Sequence, residues 1–279
     1  MSLNVGDVIQ ILEAMAPPHL AEEWDNVGLQ AGQTDWPVRS IWVALDPTPN
    51  VMAAACKAGA DLLVTHHPLI FKPLKKLDFS TPEGAVIRRA VLDQTAVFSA
   101  HTNLDSATDG LNDLLAQKIG LEQLSVLNPR PDIPKSATDP IGKTDIIEGL
   151  GRVGTLEIKT TLGRLASRIK KTLKLTSIQV AGRFDLPVRK VAICTGSGSS
   201  LLPVFLASGA DVYLSGDLTY HNGRTVEAMD RGLIDIGHFA SEHLVVEDLA
   251  HRLRRQLTRC GKTITVTACT LEKDPFSQV

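Results

Sequence analysis

The sequence predicts an α/β protein made of two similar α/β lobes, related by an internal repeat, with a metal site between them. Three observations carry this prediction. Strand-like apolar runs alternate with helical ones, a Gly-Ala-Asp triplet recurs in matching surroundings in the two halves, and histidines and carboxylates gather where strands should end. With 279 residues, 43% of them hydrophobic and 22% charged, the chain is long enough for a sizeable core, in one large domain or two packed lobes.

The elements follow in order. Val5, Val8, Ile9, Leu12 and Met15 recur at helical spacing and Pro17-Pro18 ends the run, which predicts an opening helix over residues 4–16. Ile41 to Leu45 reads as a buried strand, Asn50 to Ala58 as a helix, Asp61 to Thr65 as a strand, Pro82 to Asp93 as a helix and Thr95 to Ala100 as a strand. Strands separated by helices pair in parallel. A helix over Leu111 to Ile119 precedes a polar, proline-rich connection at 128–145, which divides the chain into lobes 1–127 and 128–279. Gly149 to Ile158 and Ile178 to Val180 then read as strands around a basic helix, Leu162 to Leu173. Its Arg164, Arg168, Lys170, Lys171 and Lys174 form a solvated face. The α/β pattern resumes with strand Val191 to Cys194, a glycine-rich turn, a helix through Leu201 to Ala207 and strand Asp211 to Leu214. Helix Glu247 to Thr258 and strand Thr263 to Thr267 close the chain.

Composition narrows the partners. A formal charge of −2 offers no basic face to nucleic acid. The N-terminus lacks a basic segment followed by an apolar one, and no apolar run approaches membrane-spanning length, so a cytoplasmic protein is expected. The four cysteines are far apart with no CxxC pair, which predicts reduced thiols, with Cys56 and Cys194 filling the core.

The repeat is read from two stretches. Ile41-Trp-Val-Ala-Leu, a helix and Lys57-Ala-Gly-Ala-Asp61-Leu-Leu-Val-Thr-His66-His67 lie over Val191-Ala-Ile-Cys, a helix and Ala207-Ser-Gly-Ala-Asp211-Val-Tyr-Leu-Ser-Gly216-Asp217. Further on, Val97-Phe-Ser-Ala-His101-Thr-Asn-Leu-Asp105 answers Ile234-Asp-Ile-Gly-His238-Phe-Ala-Ser-Glu242. Each is an apolar strand followed by His-x-x-x-acid. Open α/β sheets hold ligands at the C-terminal ends of their strands.

Six of the eight histidines, His66, His67, His101, His221, His238 and His243, fall in or near these strand ends, with Asp105, Asp217 and Glu242. Imidazole and carboxylate without thiolate suit a catalytic metal such as Zn, Fe, Mn or Ni better than a closed structural zinc site. The surplus of donors suggests two metals bridged by a carboxylate. His238 and Glu242, four apart, share a helix face, so Glu242 could bridge. His66 and His67, adjacent at a strand end and followed by Pro68, fit two different metals.

At these residues the chain resembles the NGG-one-interacting-factor-three-like family, also called GTP cyclohydrolase I type 2 homologues. The matching segments are Glu23-Trp-Asp-Asn-Val-Gly-Leu-Gln30, Val64-Thr-His-His-Pro-Leu-Ile-Phe71, Ala100-His-Thr-Asn-Leu-Asp105, Gly151-Arg-Val-Gly154, Ser215-Gly-Asp-Leu-Thr-Tyr-His221 and Gly237-His-Phe-Ala-Ser-Glu242. The resemblance implies two divalent metal ions, one held by His67, Asp105 and Glu242 and the other by His66, His238 and Glu242. It leaves His101, Asp217 and His221 for proton transfer or for positioning the ligands. It further implies a homohexamer and the absence of the inserted domain that longer members carry.

A hydrolase follows from such a centre, since two metals with open positions acidify bound water. Under the cyclohydrolase label the substrate is a nucleotide such as GTP, attacked at C8 of guanine. The alternative is a non-enzymatic metal-binding or protein-interaction scaffold. Thr195-Gly-Ser-Gly-Ser-Ser200 reads either as a phosphate cradle or as a tight strand-to-helix turn. Trp24-Asp25-Asn26 either lines the site or seats the N-terminal helix, and the second reading is preferred.

Overall fold

The computed structural model describes residues 3–130 and 148–277, so most of the proline-rich connection lies outside the described residues. The chain runs through α1 (Val5–Met15), β1 (Gly28–Ala31), β2 (Ser40–Ala44), α2 (Pro49–Lys57), β3 (Leu62–Thr65), α3 (Pro82–Leu92), β4 (Ala96–Ser99), α4 (Thr102–Ser106) and α5 (Leu111–Lys118). It continues through β5 (Leu121–Pro129), β6 (Gly149–Thr161), α6 (Leu162–Thr172), β7 (Gln179–Ala181), β8 (Pro187–Ser197), α7 (Leu202–Ala207) and β9 (Val212–Gly216). It closes with α8 (Tyr220–Ala228), β10 (Gly232–Asp235), α9 (His238–Glu242), α10 (Leu244–Arg259) and β11 (Thr265–Ala268).

Two compact units result, residues 1–104 with 245–279, and residues 105–244. The sequence division at 127/128 therefore moves to 104/105, and the last 35 residues return to the first unit. The reason is strand pairing: β11 runs parallel to β2, with Val266 opposite Ile41, and adds an edge strand to the first sheet.

The first unit holds a five-stranded sheet in the order β1-β4-β3-β2-β11. Strands β2, β3 and β4 are parallel and level, with Ile41 opposite Leu62 and Leu62 opposite Ala96. Every residue of β3 and β4 is buried, as expected of strands covered on both faces. Helices α2 and α3 each start with proline in the first turn and a threonine cap, Thr48 Oγ1 accepting from Val51 N and Thr81 Oγ1 from Gly84 N. The sequence reading missed β1, an antiparallel edge strand whose four residues are all only half-buried.

The second unit holds a six-stranded sheet in the order β5-β6-β8-β9-β10-β7. Along β8 the side chains alternate: Val191 and Ile193 join a core with Leu162, Leu165 and Ile169 of α6, while Ala192 and Cys194 join another with Phe205 and Tyr213. Arg164, Arg168, Lys170, Lys171 and Lys174 are exposed, so the basic stripe is a solvated face.

The repeat is visible in hydrogen bonds. In the first unit Asp61 Oδ2 accepts from Arg39 N and Ser40 N at 2.7 and 3.0 Å. In the second, Asp211 Oδ2 accepts from Arg189 N and Lys190 N at 2.8 and 2.9 Å. The Asp of each Gly-Ala-Asp triplet thus ties the start of one parallel strand to the strand before it. Register corrects one detail of the alignment. Ala96 stands opposite Leu62 and Gly232 opposite Val212, which makes His101 equivalent to Gly237 and not to His238. The second unit carries one more residue there, and Gly237 absorbs it at φ +83°.

The Gly-Arg-Val-Gly segment is a structural anchor. Arg152, 4% exposed, makes a bidentate pair with Asp113 at 2.7 and 2.9 Å and donates to the carbonyls of Ala107, Gly149 and Gly151. Replacing it with methionine strands a buried carboxylate and three carbonyls. Urea unfolding of Arg152→Met should show a loss of about 3–5 kcal/mol; a loss below about 1 kcal/mol would contradict this role.

Candidate metal centre

In the first unit the strand ends assemble three histidines. Thr65 and Ser99 close β3 and β4 level with one another, their hydroxyls 3.0 Å apart, and Thr65 Oγ1 donates to the carbonyl of His67 at 2.7 Å. This latch fixes the chain direction where two adjacent side chains must diverge. His66 is fully buried with Nδ1 2.9 Å from the Ala100 carbonyl. His67 Nδ1 lies 2.8 Å from Asp46 Oδ1, and Asp46 lies two residues past the end of β2. His101 Nδ1 lies 2.8 Å from Asp25 Oδ1. Carbonyl and carboxylate oxygens only accept, so each Nδ1 carries the hydrogen and each Nε2 is turned to the far side of its ring. The three rings lie 5.1–5.5 Å apart, and one ligand atom from each falls within 4.8 Å of the others.

Asp25 does more than hold one ring. Its side chain is fully buried, and Thr102 donates to it through both backbone N and Oγ1. Burial pushes its carboxyl up, but the hydrogen bond and charge of His101, with the Thr102 donors, outweigh burial and hold it down at about 2. Asn26 Nδ2 donates to the Ile70 carbonyl at 2.6 Å, and Gln30 Oε1 accepts from Ile70 N, so this segment is tied to the loop after His67. Trp24-Asp25-Asn26 lines the histidine cluster, which reverses the preference for a seat under the N-terminal helix.

In the second unit α9 presents His238 and Glu242 from one face. His238 Nδ1 is 2.7 Å from Asp217 Oδ2, and its Nε2 is 3.0 Å from Glu242 Oε2. Asp217 reaches this position from a left-handed backbone, φ +52°. Glu242 is 3% exposed, and a Cβ on Gly196 would overlap its carboxylate. Gly196 N donates to Ser241 Oγ, Thr195 N to Asn112 Oδ1 and Gly198 N to the Gly216 carbonyl. With those N–H groups engaged, Thr195 to Ser200 is the tight turn that seats Glu242 rather than a phosphate cradle. Asp105 is buried on α4, where its Oδ1 accepts from Thr195 Oγ1 at 3.3 Å and its carbonyl from Asn112 Nδ2.

Of the residues expected from sequence, His66, His67 and His101 converge within the first unit, and His238, Glu242 and Asp217 within the second. His221 does not join either set: it is exposed on α8 with its ring 5.4 Å from that of Tyr220. Asp46 was missed, and Asp25 was placed in a segment read with a preference for seating the N-terminal helix. Asp46 ends an apolar strand run, the same signal that singled out His66 and His67.

The donors fit divalent metal ions. They are imidazole Nε2 atoms and carboxylates, each imidazole oriented through Nδ1. His238 Nε2 and Glu242 Oε2, 3.0 Å apart, are close enough that one ion could be held by both. Cys194, its thiol pushed up to about 12 by burial, and the other three cysteines form no disulfide.

Among the described residues no helix is long and apolar enough to cross a membrane. The family model for Duf34/NIF3 (NGG1p interacting factor 3) matches residues 3–275. A Clostridium acetobutylicum protein named GTP cyclohydrolase 1 type 2 homolog is 33% identical, with 99% of both chains covered. A Streptomyces coelicolor protein of the same name is 35% identical, with 98% of this chain and 94% of that one covered. The crystal structure of a Bacillus cereus protein related to NIF3 superposes with a TM-score of 0.91 at 27% identity, covering 100% of this chain and 99% of that one.

Two outcomes follow from the Nδ1 partners. Asp46→Ala and Asp217→Ala should each weaken zinc binding roughly 10–100-fold in a chelator competition titration; unchanged affinity would remove the orienting role. In the metal-free protein the depressed Asp25 carboxyl contributes about 2 kcal/mol that is present above the unfolded value near pH 4 and disappears as pH falls through about 2. The stability difference between wild type and Asp25→Asn, measured by denaturant titration, should therefore shrink from pH 5 to pH 2.

Proposed function

Since the chain belongs to the Duf34/NIF3 family, we propose that it is a dinuclear metal-dependent hydrolase acting on a small molecule of the nucleotide class, with hydrolytic opening of a purine ring as the reaction. The observation that carries this reading is the uniform treatment of four histidines: His66, His67, His101 and His238 each give Nδ1 to an oxygen acceptor, which turns Nε2 to the far side of the ring. Metal-ligating histidines almost always give their other ring nitrogen to such an acceptor.

In this reading His67, Asp105 and Glu242 would hold one ion, and His66, His238 and Glu242 would hold the other. When bound, such a pair supplies Lewis acidity and an acidified water. The relatives' name points to GTP. Successive hydrolysis of the two C–N bonds to C8 would consume two waters and release formate.

His101 is the proton carrier of this proposal. Its Nε2 has the lone pair to take a proton, and the Asp25 carboxylate on Nδ1 stabilises the imidazolium that forms. Asp217 orients His238. His221, exposed on α8, drops out of the proton-transfer set.

Elemental analysis of purified protein should find about two transition-metal ions per chain, with His66→Ala and His67→Ala each losing a different one. Incubation of the loaded protein with GTP should release formate, and His101→Gln should keep both metals while losing roughly 10²–10⁴-fold in rate. Absence of metal would sink the whole reading. Two metals without turnover on nucleotides would leave a metal-binding scaffold in its place.

A further inference from the structure

Beside His101 stand two large aromatic rings that the core does not absorb. Trp24 is 58% exposed and Phe71 48% exposed. Their ring centroids are 5.7 Å apart, and those of Trp24 and Phe71 lie 6.0 and 6.5 Å from the His101 ring, both edge-on to it. Exposed apolar side chains scattered singly need no explanation. Two in mutual contact, both against an imidazole of the metal-type cluster, form a surface with a face still open.

This surface is also held in place. Asn26 Nδ2 binds the Ile70 carbonyl, Gln30 Oε1 binds Ile70 N, and Gln30 Nε2 returns to the Asn26 carbonyl at 2.9 Å. The residue next to Trp24, Asp25, is buried and bonded to His101 and Thr102, and the residue before Ile70, Leu69, is buried at 4%. Both rings thus project from anchored backbone, so little ordering is required when a ligand arrives. Immediately after Phe71 come Lys72, Lys75 and Lys76, all exposed, with no acidic residue before Asp78.

We infer that Trp24 and Phe71 form the stacking seat for a flat heteroaromatic ring of the substrate, with its anionic tail taken by Lys72, Lys75 and Lys76. The inference rests on the hydrolase reading for the neighbouring metals but depends on different residues. The two rings are tilted at 58° and touch each other, so the ligand lies against their open side rather than between them. A ring stacked parallel to either would be inclined to the His101 ring as they are, by 73° or 72°. Stacking on an aromatic side chain tolerates different bases because each offers a π face; the seat selects for a planar ring plus negative charge.

The test uses zinc-loaded full-length protein, its metal content measured first, titrated with GMP, AMP, guanosine and ribose 5-phosphate while following tryptophan emission and heat. GMP and AMP should bind and quench emission, guanosine should bind more weakly, and ribose 5-phosphate should give no quenching. Trp24→Ala and Phe71→Ala should each weaken GMP binding about tenfold or more with zinc content unchanged. Lys72→Gln with Lys75→Gln and Lys76→Gln should erase the preference for GMP over guanosine. Equal binding of ribose 5-phosphate and GMP, or full GMP affinity in Trp24→Ala, overturns the seat. Zinc bound without any ring-dependent binding overturns the seat alone, whereas a protein that takes up no zinc overturns the metal reading instead.

Discussion

An imidazole ring binds an ion only when its lone pair points where the ion will sit, and a hydrogen bond at Nδ1 is what decides that direction here. Four acceptors do the work: the Ala100 carbonyl just past β4, Asp46 two residues past the end of β2, Asp25 in the segment before β1 and Asp217 in a left-handed turn after β9. Each lies close to where a parallel strand ends or is bonded to a residue that does. The parallel sheet matters for this reason. It brings Ala44, Thr65 and Ser99 level, so a ring from one strand finds its acceptor at the end of the next.

The two units reuse one backbone solution for different chemistry. The Asp of each Gly-Ala-Asp triplet clips the same pair of strands in each unit. Past the third parallel strand they diverge by one residue. His101 precedes α4, so it and Asp105 do not form a pair four apart on one helix. In the second, the extra Gly237 lets α9 begin on His238, and Glu242 then lies one turn along the same face, 3.0 Å from its Nε2. A single inserted glycine is the backbone difference between a histidine flanked by aromatic rings and one paired with a carboxylate.

Much of this was readable from the chain because β3, β4, β9 and β10 are buried at every residue and so appear as unbroken apolar runs. Elements lacking that signal were missed: β1 is half-buried throughout, β5 mixes exposed and buried positions around a bulge, and α8 buries only Val226. The site divides the same way. His66, His67, His238 and Glu242 announce themselves by residue type at strand ends, whereas the roles of Asp25 and Asp46 depend on which ring the tertiary structure brings within 2.8 Å. Nothing in their local sequence carries that distance. The return of β11 to the first sheet was equally illegible, because a four-residue strand does not state its partner.

Gly196 has a meaning beyond the turn it permits. Its missing side chain is the space that the Glu242 carboxylate occupies, and its φ of +65° already disfavours any other residue. The two positions are therefore bound as a pair in descent. A lineage that keeps the acid cannot vary the glycine, whereas one that trades the acid for a short apolar residue relieves the steric half of that restraint. Variation at position 196, far from 242 along the chain, is thus a readable trace of whether a copy of this protein still carries the Glu242 carboxylate.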